Sequence, residues 1–459
     1  MRPLSICEEC LQKQREIDQL KEENTRLKQQ LHYRQRQAER GPFASSTPSS
    51  KIPVKANTAE ENQNKKGGAR PGHPGHGRTV VETGHADRVQ EVDVSPSCPQ
   101  CGGMLEDKGM ATRSVIDSPP IRAERIIYRL KKRYCPTCRK AVQASAPGVL
   151  PKSLYGNQLI TQLVFWHYLH GIPIGRVCEQ SGLGLGAVLG IFHRLATLFR
   201  GVIPKLIEEY RQAPVRHADE TSWRTDGRSG YAWLFSSPTL TIFLFRSTRS
   251  ATIPKEILGT EKLGGVLVVD RYNGYNRAPC ALQYCYAHLL RDVEDLVKEV
   301  PDDGEVLAFT STMIPLLAQA MHLHAQPISD TDYYAQAQTI RQQIEKAVQS
   351  PAQHLGIRHI QDIFTDNAHR LFHWVNDRRV PADNNRAERE LRPTVIARKV
   401  SFGSQSDAGA KTREILTTFV HTLKKRVPDP QSHFKSILDN MAADPKLHPL
   451  AELLRADTS

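Results

Sequence analysis

The sequence predicts a multidomain α+β protein built around a mixed β-sheet, and three observations support that prediction. The chain has 459 residues, which is long enough for more than one packed core. Six of its nine cysteines fall into three C-x-x-C pairs, a pattern typical of metal binding. From about Pro214 the hydrophobic period changes from that of helices to that of strands.

The charge of the chain favours a polyanionic partner. Lys and Arg total 62 against 49 Asp and Glu, a formal net charge of +13. Nucleic acid is the commonest such partner, although a basic protein without one has the same composition. No apolar run reaches the length of a membrane span, and MRPLSICEEC lacks the apolar core of a signal peptide. We therefore expect a protein of the reducing cytoplasm without membrane association, where paired cysteines indicate metal rather than disulfides.

Residues 1–40 have the spacing of a short coiled coil. One Asn and four apolar residues alternate three and four apart: Ile17, Leu20, Asn24, Leu27 and Leu31. Asn24 falls at an a position, which selects a parallel dimer. A solvated amphipathic helix packed on the body fits equally well, because few heptads are available. Cys7 and Cys10 are interpreted as free thiols rather than as zinc ligands shared between two subunits.

Residues 41–80 are expected to form a flexible basic linker, because Ser, Pro, Lys, Asn and Gly dominate. The end of this linker, GARPGHPGHGR, places Arg70 and Arg78 among glycines and prolines. Such a segment is able to follow a phosphate backbone or a minor groove. A basic tether without that role has the same composition.

Residues 81–150 are predicted to form a zinc-binding domain. Four cysteines in two pairs supply the ligands: Cys98, Cys101, Cys135 and Cys138. Turn residues accompany each pair, and the stretch between them is long enough for a small hairpin. Four thiolates match a tetrahedral zinc site and leave no open position for substrate, so a structural role is expected.

Residues 151–210 are predicted to be helical. A helix, a Gly-containing turn and a second helix in IPIGRVCEQSGLGLGAVLGIFHRL outline a helix-turn-helix. Four glycines weaken the second helix as a recognition helix: Gly182, Gly184, Gly186 and Gly190. An ordinary helical subdomain that positions the catalytic core is an equal alternative.

Residues 211–425 carry the strand-rich segment. VRHADETSW, YAWLF and TLTIFLFR are predicted strands, TIPKEILG a helix, and GGVLVVD a buried strand. LQYCYA is a further strand, followed by the amphipathic helix HLLRDVEDLVKEV. An order of three strands, a helix, a strand, a helix and a strand describes an RNase-H-like mixed sheet. A Gln-rich helical insertion is expected at about 300–380, and a helical tail at 426–459.

Two carboxylates are predicted to meet at strand ends. Asp219 is expected to close the first strand and Asp270 the fourth, and these strands are neighbours in an RNase-H-like sheet. A bound cation explains why two like charges tolerate each other, and oxygen ligands suit Mg²⁺ or Mn²⁺. The alternative for each Asp alone is a turn or helix cap.

A third acid is predicted from the block PADNNRAERELRPTVIARKVSFGSQSDAGA. Asp383 or Asn384 is expected to cap a helix that ends at Pro393. Glu388 then lies between amides and a guanidinium, while Glu390 faces solvent. Four basic residues are predicted phosphate contacts: Arg392, Arg398, Lys399 and Lys411. From this block alone, a solvated charged helix with internal ion pairs is the favoured alternative.

Several blocks in one order resemble the insertion-sequence 66 family of transposases. They are HADET, VLVVDRYNGY, CYAHLLRD, and DNNRAERELRP followed by ARKVSFGS, together with the zipper-like segment, the GHPGHG linker and the cysteine pairs. The resemblance covers most of the chain. It implies a DNA transposase whose DDE triad is Asp219, Asp270 and Glu388, with the four cysteines of residues 81–150 as zinc ligands.

That resemblance also implies a mechanism and partners. A pair of Mg²⁺ or Mn²⁺ ions would lie between the three acids, with Asp219 bridging them and the other two completing one side each. His217 and His288 are near the acids in sequence and are interpreted as packed, hydrogen-bonded histidines rather than as proton relays. The expected partners are element ends and target DNA, a second copy of the chain in a homodimer or higher oligomer, and accessory proteins of the same element.

The chain departs from the family pattern in three places, and two other functions share its features. Arg271 follows the second acid where the family more often has Gly, and the insertion and the glycines at 182–190 are the other departures. A metal-dependent nuclease or resolvase would share the triad but needs no end-recognition domains. A non-catalytic zinc-containing DNA-binding regulator would share the charge and the cysteine pairs but needs no acids on adjacent strands.

Overall fold

The computed structural model describes residues 12–21, 23–25, 28, 104, 123–137, 139–444, 446–449 and 453. All of them except Met104 belong to one compact unit, Met1–Pro53 with Ala123–Ser459. Residues 12–21 are helical, and Ile17 and Leu20 are exposed there, so the coiled-coil dimer stays a prediction. The linker at 41–80 lies outside the described residues.

A small hairpin opens the continuous part of the structure. Strand β1 (Lys132–Cys135) pairs antiparallel with β2 (Lys140–Gln143), and Cys135 is opposite Lys140. The second C-x-x-C pair therefore begins at the last residue of β1, Cys135. Cys98, Cys101 and Cys138 lie outside the described residues, so the zinc ligand set stays a prediction.

The segment predicted to be helical is helical. Its helices are α1 (Asn157–Val164), continued by a π-helical turn (Phe165–Leu169), then α2 (Ile174–Ser181), α3 (Leu185–Phe199) and α4 (Val202–Gln212). Gly182 ends α2 with a φ of 68°, a conformation that costs glycine little. The chain bends by 109° between α2 and α3, which is within the range of a helix-turn-helix.

A five-stranded mixed sheet follows. Its strands are β3 (Val215–Thr225), β4 (Arg228–Ser236), β5 (Thr241–Arg246), β6 (Val266–Val269) and β7 (Ala281–Tyr284). Their order across the sheet is β5-β4-β3-β6-β7. The pairs β3–β4 and β4–β5 are antiparallel, and β3–β6 and β6–β7 are parallel. Asp226 and Gly227, both with positive φ, form the two-residue turn between β3 and β4.

The connection between β6 and β7 differs from the predicted element order. Helix α5 (Thr252–Leu258) lies between β5 and β6 as expected. Between β6 and β7 the chain forms only the 3₁₀ turn Asn273–Tyr275, and the helix α6 (Tyr286–Glu299) comes after β7. The summary order, which placed a helix between these two strands, was wrong, because the eleven residues that separate them are occupied by turns. The separate element predictions are confirmed, since LQYCYA contains a strand and its helix follows it.

Helices fill residues between the sheet and the third acid. They are α7 (Gly304–Leu323), α8 (Asp330–Gln349), α9 (Leu355–Asp366) and α10 (His373–Asn376), with a 3₁₀ turn at Ala368–Arg370. By length and composition α7 could cross a membrane. One face of it is buried against other helices, through residues such as Met313 and Leu317, as in the core helix of a folded domain.

Three helices complete the chain: α11 (Asn385–Ser401), α12 (Asp407–Arg426) and α13 (Pro430–Ala443). The prediction that α11 ends at Pro393 was wrong, since the helix continues through it to Ser401. Pro393 removes one backbone donor. Leu391 and Ala397, on either side of it, are buried against the sheet, and this packing accounts for the uninterrupted helix.

The two faces of the sheet contribute to different cores. Alternate residues of β3 and β4, such as Ala218 and Trp233, join a large core with α1, α3, α4 and the helices of the insertion. Residues of the opposite face, such as Trp223 and Leu234, form a second core with α11 and α12. This alternation follows from the two-residue period of strands, and it brings α11 onto the face of the sheet that carries Asp219.

Helix α12 covers the edge of the sheet at β5. The backbone N–H groups of Thr241, Phe243 and Phe245 donate hydrogen bonds to side chains of α12. The acceptors are the hydroxyls of Thr422 at 3.2 Å and Thr418 at 2.9 Å, and a carboxylate oxygen of Glu414 at 3.4 Å. Side chains thus replace the missing neighbouring strand and satisfy an edge that would otherwise pair with another chain.

Candidate active site

Asp219 and Asp270 lie on neighbouring parallel strands. The parallel register between β3 and β6 includes His217 opposite Val268, and Asp219 and Asp270 each come two residues later. Both acids are buried, with 7% and 4% of their surface exposed. The predicted adjacency of the two strands is confirmed.

The position of Asp219 within its strand was predicted wrongly. Asp219 is in the middle of β3, because the strand continues to Thr225 in its antiparallel pairing with β4. Only the parallel pairing with β6 stops before Asp219. Asp219 therefore lies just beyond the parallel pairing with β6 and inside the antiparallel pairing with β4. The two-residue period of the sequence is the same in both situations and does not distinguish them. Asp270 directly follows β6, as expected.

Glu388 comes from the first turn of α11. The side chain of Asp383 accepts a hydrogen bond from the N–H of Asn385 at 2.9 Å and so supports the start of this helix. One carboxylate oxygen of Glu388 lies 3.6 Å from a guanidinium nitrogen of Arg291 on α6. The side chain of Glu388 is 17% exposed.

Asn384 fixes the beginning of α11 to β3 and α6. Its side-chain amide donates to the carbonyl of Ala218 at 2.8 Å, and its backbone N–H donates to the sulfur of Cys285 at 3.1 Å. Its side-chain oxygen is 3.0 Å from Nδ1 of His217. Burial lowers the pKa of His217 to about 4, so this imidazole is neutral near pH 7 and positions Asn384. His217 is a packed, hydrogen-bonded histidine, as predicted.

The three carboxylates share one electrostatic environment. Burial raises the pKa of Asp219 well above its usual range, and the charges of Glu220, Asp270 and Glu388 raise it further. Burial also raises the pKa of Asp270, with the charge of Glu220 adding to the effect. Burial raises the pKa of Glu388, whereas the guanidinium of Arg291 opposes that rise. Such a cluster is unfavourable when fully ionised unless a cation compensates it.

Two oxygen atoms of this cluster fit a metal ion. Among the described residues, Oδ2 of Asp219 and Oε1 of Glu388 are buried without a hydrogen-bond partner. A buried carboxylate oxygen without a partner is costly in a folded protein. Hard oxygen donors of this kind are the ligands that Mg²⁺ and Mn²⁺ prefer. The donor set of Asp219, Asp270 and Glu388 therefore fits the divalent ions that the resemblance implies.

Two other acids near the site are occupied by neighbours. Glu220 accepts hydrogen bonds from the guanidinium of Arg249, including one of 2.8 Å from Nε, and from the hydroxyl of Tyr275. Its carboxylate is buried on the opposite face of the sheet from Asp219. Glu220 is therefore a partner of Arg249 rather than a further member of the carboxylate cluster.

The prediction that Glu390 faces solvent was wrong. One of its carboxylate oxygens lies 2.8 Å from the ammonium of Lys425 and accepts from the hydroxyls of Ser236 and Thr241 at 2.7 and 3.0 Å. Its side chain is 19% exposed. Glu390 thus connects α11 to α12 and the sheet, which leaves Glu388 as the acid of α11 that faces Asp219.

Cys285 and His288 approach Glu388 from α6. One possible ligand atom from each of the three residues lies within 4.8 Å of the others. Burial lowers the pKa of His288 to about 3, and its Nδ1 atom is buried without a hydrogen-bond partner. His288 was predicted to be a packed, hydrogen-bonded histidine, but its Nδ1 has no hydrogen-bond partner among the described residues, and Cys285 was not predicted to be near the acids. Their spacing in CYAH, one helical turn apart, was the available signal.

Arg271, which follows Asp270 at a position where the family more often has Gly, is directed towards α6. Its guanidinium forms an ion pair with the carboxylate of Asp292. The pair is partly buried, with side-chain exposures of 8% and 18%. Arg271 therefore ties the loop after β6 to α6.

The predicted phosphate contacts fall into two groups. Arg392 and Lys399 are exposed on α11. Arg398 instead donates to the carbonyl of Ser222 at 2.7 Å and to the hydroxyl of Thr221 at 3.1 Å, and Lys411 pairs with Glu414. Arg70 and Arg78 lie outside the described residues. Arg392 and Lys399 are thus the better-placed members of the set.

The fold and the site together define a class of protein. A mixed sheet presents buried carboxylates suited to divalent cations, and a segment with paired cysteines precedes it in the chain. A family model described as the transposase IS66 family matches residues 152–412. A second, described as the zinc-finger binding domain of transposase IS66, matches residues 95–139. The chain therefore belongs to the IS66 transposase family and carries its zinc-finger segment.

Relatives from Sinorhizobium fredii are similar over most of the chain. The uncharacterized protein y4jD is 25% identical over 402 residues, which is 76% of this chain and 75% of that protein. The uncharacterized protein y4qI is 24% identical over 411 residues, which is 78% of this chain and 73% of that protein. Neither relative has a name that assigns an activity.

Proposed function

We propose that this protein is a DNA transposase that binds the ends of its mobile element and catalyses metal-dependent strand cleavage and strand transfer. The observation that carries the proposal is the cluster of Asp219, Asp270 and Glu388, with two buried oxygens that have no partner, in a chain of the IS66 transposase family. We place the reaction in the bacterial cytoplasm, where the DNA is.

We infer that the catalytic sheet is RNase-H-like. The strand order β5-β4-β3-β6-β7, with three antiparallel strands followed by two parallel ones, supports this assignment. So does the arrival of α11 on the face that carries Asp219. The short turn between β6 and β7 is a departure that leaves the strand order unchanged.

The three carboxylates would hold two Mg²⁺ or Mn²⁺ ions. Two such ions activate the attacking oxygen and neutralise the charge of the in-line phosphoryl group. The backbone N–H of Glu220 donates to Asp219 at 2.8 Å, and that of Tyr272 donates to Asp270 at 2.9 Å. Each bond fixes one carboxylate oxygen, and the other oxygen would be available to hold an ion. Asn384 holds the first turn of α11, and with it Glu388, against β3.

The exposed residues Arg392 and Lys399 would contact DNA phosphates from the same helix as Glu388. Phosphate contacts position the substrate without reading its sequence. The zinc-finger segment and the α2–α3 pair are the proposed end-recognition elements, and residues 1–40 the proposed dimerisation segment. Light scattering of the chain with and without residues 1–40 tests the proposed dimerisation. The same number of chains per particle in both proteins would contradict a dimerisation role for this segment.

Strand transfer with an element end tests the function directly. A duplex that carries the terminal inverted repeat of the element and a target plasmid are incubated with the protein and Mg²⁺ or Mn²⁺. Joined products are expected, and chelation of the metal abolishes them. Cleavage without joining would assign the protein to the nucleases, and DNA binding without either reaction would assign it to the regulators.

The triad is tested by conservative substitutions. Asp219→Asn, Asp270→Asn and Glu388→Gln are each expected to lower strand transfer by at least 10³-fold, on the order of the loss of one essential catalytic group. End binding in a mobility-shift assay is expected to persist. Glu220→Gln is not a suitable control because it leaves Arg249 buried without its ion partner. Glu294→Gln, on the same helix as Arg291, serves as a control outside the carboxylate cluster.

A further inference from the structure

We propose that Cys285, His288 and Glu388 form a second, soft-metal site that binds one Zn²⁺ and shares Glu388 with the carboxylate cluster. This site is distinct from the zinc finger, whose cysteines all precede residue 140. It uses residues of α6 and α11, which belong to the compact unit that contains the sheet.

The geometry of the three side chains supports a single bound ion. Their possible ligand atoms lie within 4.8 Å of one another. Ligands of one tetrahedral zinc ion are separated by roughly 3–4 Å, given metal–ligand distances of about 2.0–2.3 Å. A small adjustment of side-chain torsions therefore closes the site. Cys285 precedes α6 and His288 is in its first turn, so the helix itself sets their separation.

Two of the three proposed ligands have a buried atom that no neighbouring group in the described part of the chain satisfies. Nδ1 of His288 and Oε1 of Glu388 are buried and have no hydrogen-bond partner among the described residues. Cys285 is fully buried, and its sulfur accepts hydrogen bonds from backbone N–H groups, including that of Asn384 at 3.1 Å.

The donor chemistry separates this site from the carboxylate cluster. Sulfur and imidazole nitrogen select Zn²⁺ over Mg²⁺, whereas carboxylates alone favour Mg²⁺ or Mn²⁺. Three protein ligands leave a fourth position for water, as in open zinc sites. Binding releases the thiol proton of Cys285 to solvent, so the affinity rises with pH.

Because the zinc site and the carboxylate cluster share Glu388, zinc binding affects strand transfer. This consequence rests on the proposed function. A carboxylate committed to Zn²⁺ beside sulfur and nitrogen ligands is a poorer ligand for the catalytic ion. Zinc at the soft site would therefore inhibit Mg²⁺-supported strand transfer. The zinc site itself does not depend on that activity.

Metal binding to the full chain tests the site without DNA. Zinc content after dialysis is measured by mass spectrometry for the wild type, Cys285→Ser, His288→Gln and the control Cys178→Ser. Cys178 is a partly buried cysteine of α2, outside the site. Cys285→Ser and His288→Gln are expected to bind one equivalent per chain less than the wild type and Cys178→Ser. Equal zinc content in all four proteins overturns the proposal.

Cobalt gives a second measurement that needs no variant. Co²⁺ added to the zinc-finger-loaded wild type is expected to produce a sulfur-to-cobalt charge-transfer band that saturates at one equivalent. The absence of that band overturns the proposal even when a variant fails to fold. Circular dichroism identifies such a variant.

Inhibition tests the consequence separately. Zn²⁺ is titrated into strand transfer at fixed Mg²⁺, and each protein is compared with its own zinc-free rate. His288→Gln is expected to need at least tenfold more Zn²⁺ for half inhibition. Equal sensitivity overturns the competition but leaves the binding result intact. A lack of strand transfer by the wild type at any Mg²⁺ concentration instead contradicts the proposed function.

Discussion

Two acids of one helix, two residues apart, illustrate how position decides the role of a carboxylate. Glu388 faces Asp219 and keeps one oxygen without a partner, whereas Glu390 is paired with Lys425. The helical period predicted that these residues lie on different faces. It did not predict that both faces are covered, because Lys425 and Ser236 come from distant parts of the chain.

Matched substitutions at these two positions are expected to have different effects on the free energy of unfolding. Glu390→Gln leaves the ammonium of Lys425 without its ion partner, and burial already lowers the pKa of that lysine to about 8. The free energy of unfolding should fall by about 1–3 kcal/mol. Glu388→Gln removes a like charge from the carboxylate cluster and should leave stability unchanged or raise it. Urea unfolding measures both, and equal destabilisation would contradict the assignment.

His167 makes the stability of the fold dependent on pH. Its Nδ1 lies 2.8 Å from the carbonyl of Ile172, and its Nε2 lies 2.7 Å from a guanidinium nitrogen of Arg413. Burial, with a smaller contribution from the charge of Arg413, lowers the pKa of His167 to about 3. Between pH 6.5 and 3 the unfolded chain therefore binds a proton that the folded chain does not, so acidification destabilises the fold.

The variant His167→Gln isolates this contribution because glutamine supplies a donor and an acceptor but does not titrate. Below pH 6.5 the wild type should lose stability relative to the variant by about 1.4 kcal/mol per pH unit. Urea unfolding at pH 7, 6 and 5 measures the difference, and His170→Gln, exposed at the end of the same segment, is the control. Parallel pH profiles for wild type and His167→Gln would show that the prediction is wrong.

Among the elements, α12 is the one whose role the sequence did not predict. Its threonines suggest an ordinary polar helix face, yet Thr418 and Thr422 are fully buried against the edge of β5. Elements with a local signal were predicted well, including the strands from VRHADETSW to LQYCYA and the helices of residues 157–200. The continuation of α11 through Pro393 was missed because tertiary packing overrides the local preference of proline.

Removing the hydroxyl of Thr418 tests the protection of this edge. Thr418→Val keeps the shape but leaves the N–H of Phe243 buried without an acceptor, which should cost about 1–3 kcal/mol of stability. Thr418→Ser keeps the hydroxyl and should cost less. Chemical unfolding ranks the variants, and light scattering detects any gain in aggregation from the uncovered strand. A valine variant as stable as the serine variant would contradict the assigned role.

For the whole molecule, the sequence predicted the order of the segments along the chain. It did not predict which distant segments pack against one another. The adjacency of Asp219 and Asp270 followed from the strand pattern, since parallel neighbours bring their carboxyl ends together. Glu388 was selected by resemblance, because it lies 118 positions after Asp270 and no local pattern spans that distance. The domain limits at 150, 210 and 425 stay predictions.

The predicted zinc ligands Cys98 and Cys101 are tested by substitution in the full-length chain. The double variant Cys98→Ser, Cys101→Ser is expected to lose one zinc per chain and to unfold the segment around residues 95–139, since structural zinc contributes directly to folding. The sheet should remain, because its core lies in residues that do not include this segment. Zinc analysis and limited proteolysis measure both effects. An unchanged zinc content would exclude these cysteines as ligands.

The distance along the chain between β3 and α11 also sets the timing of activity during synthesis. The ribosome releases Asp219 and Asp270 long before Glu388, and the contacts that hold α11 and α12, from Asn384 to Lys425, form only after the sheet has emerged. A nascent chain therefore has a nearly complete sheet without its third acid, and its β5 edge stays uncovered until α12 emerges. Translation products truncated before about residue 426 should therefore lack the proposed strand transfer and be prone to aggregate.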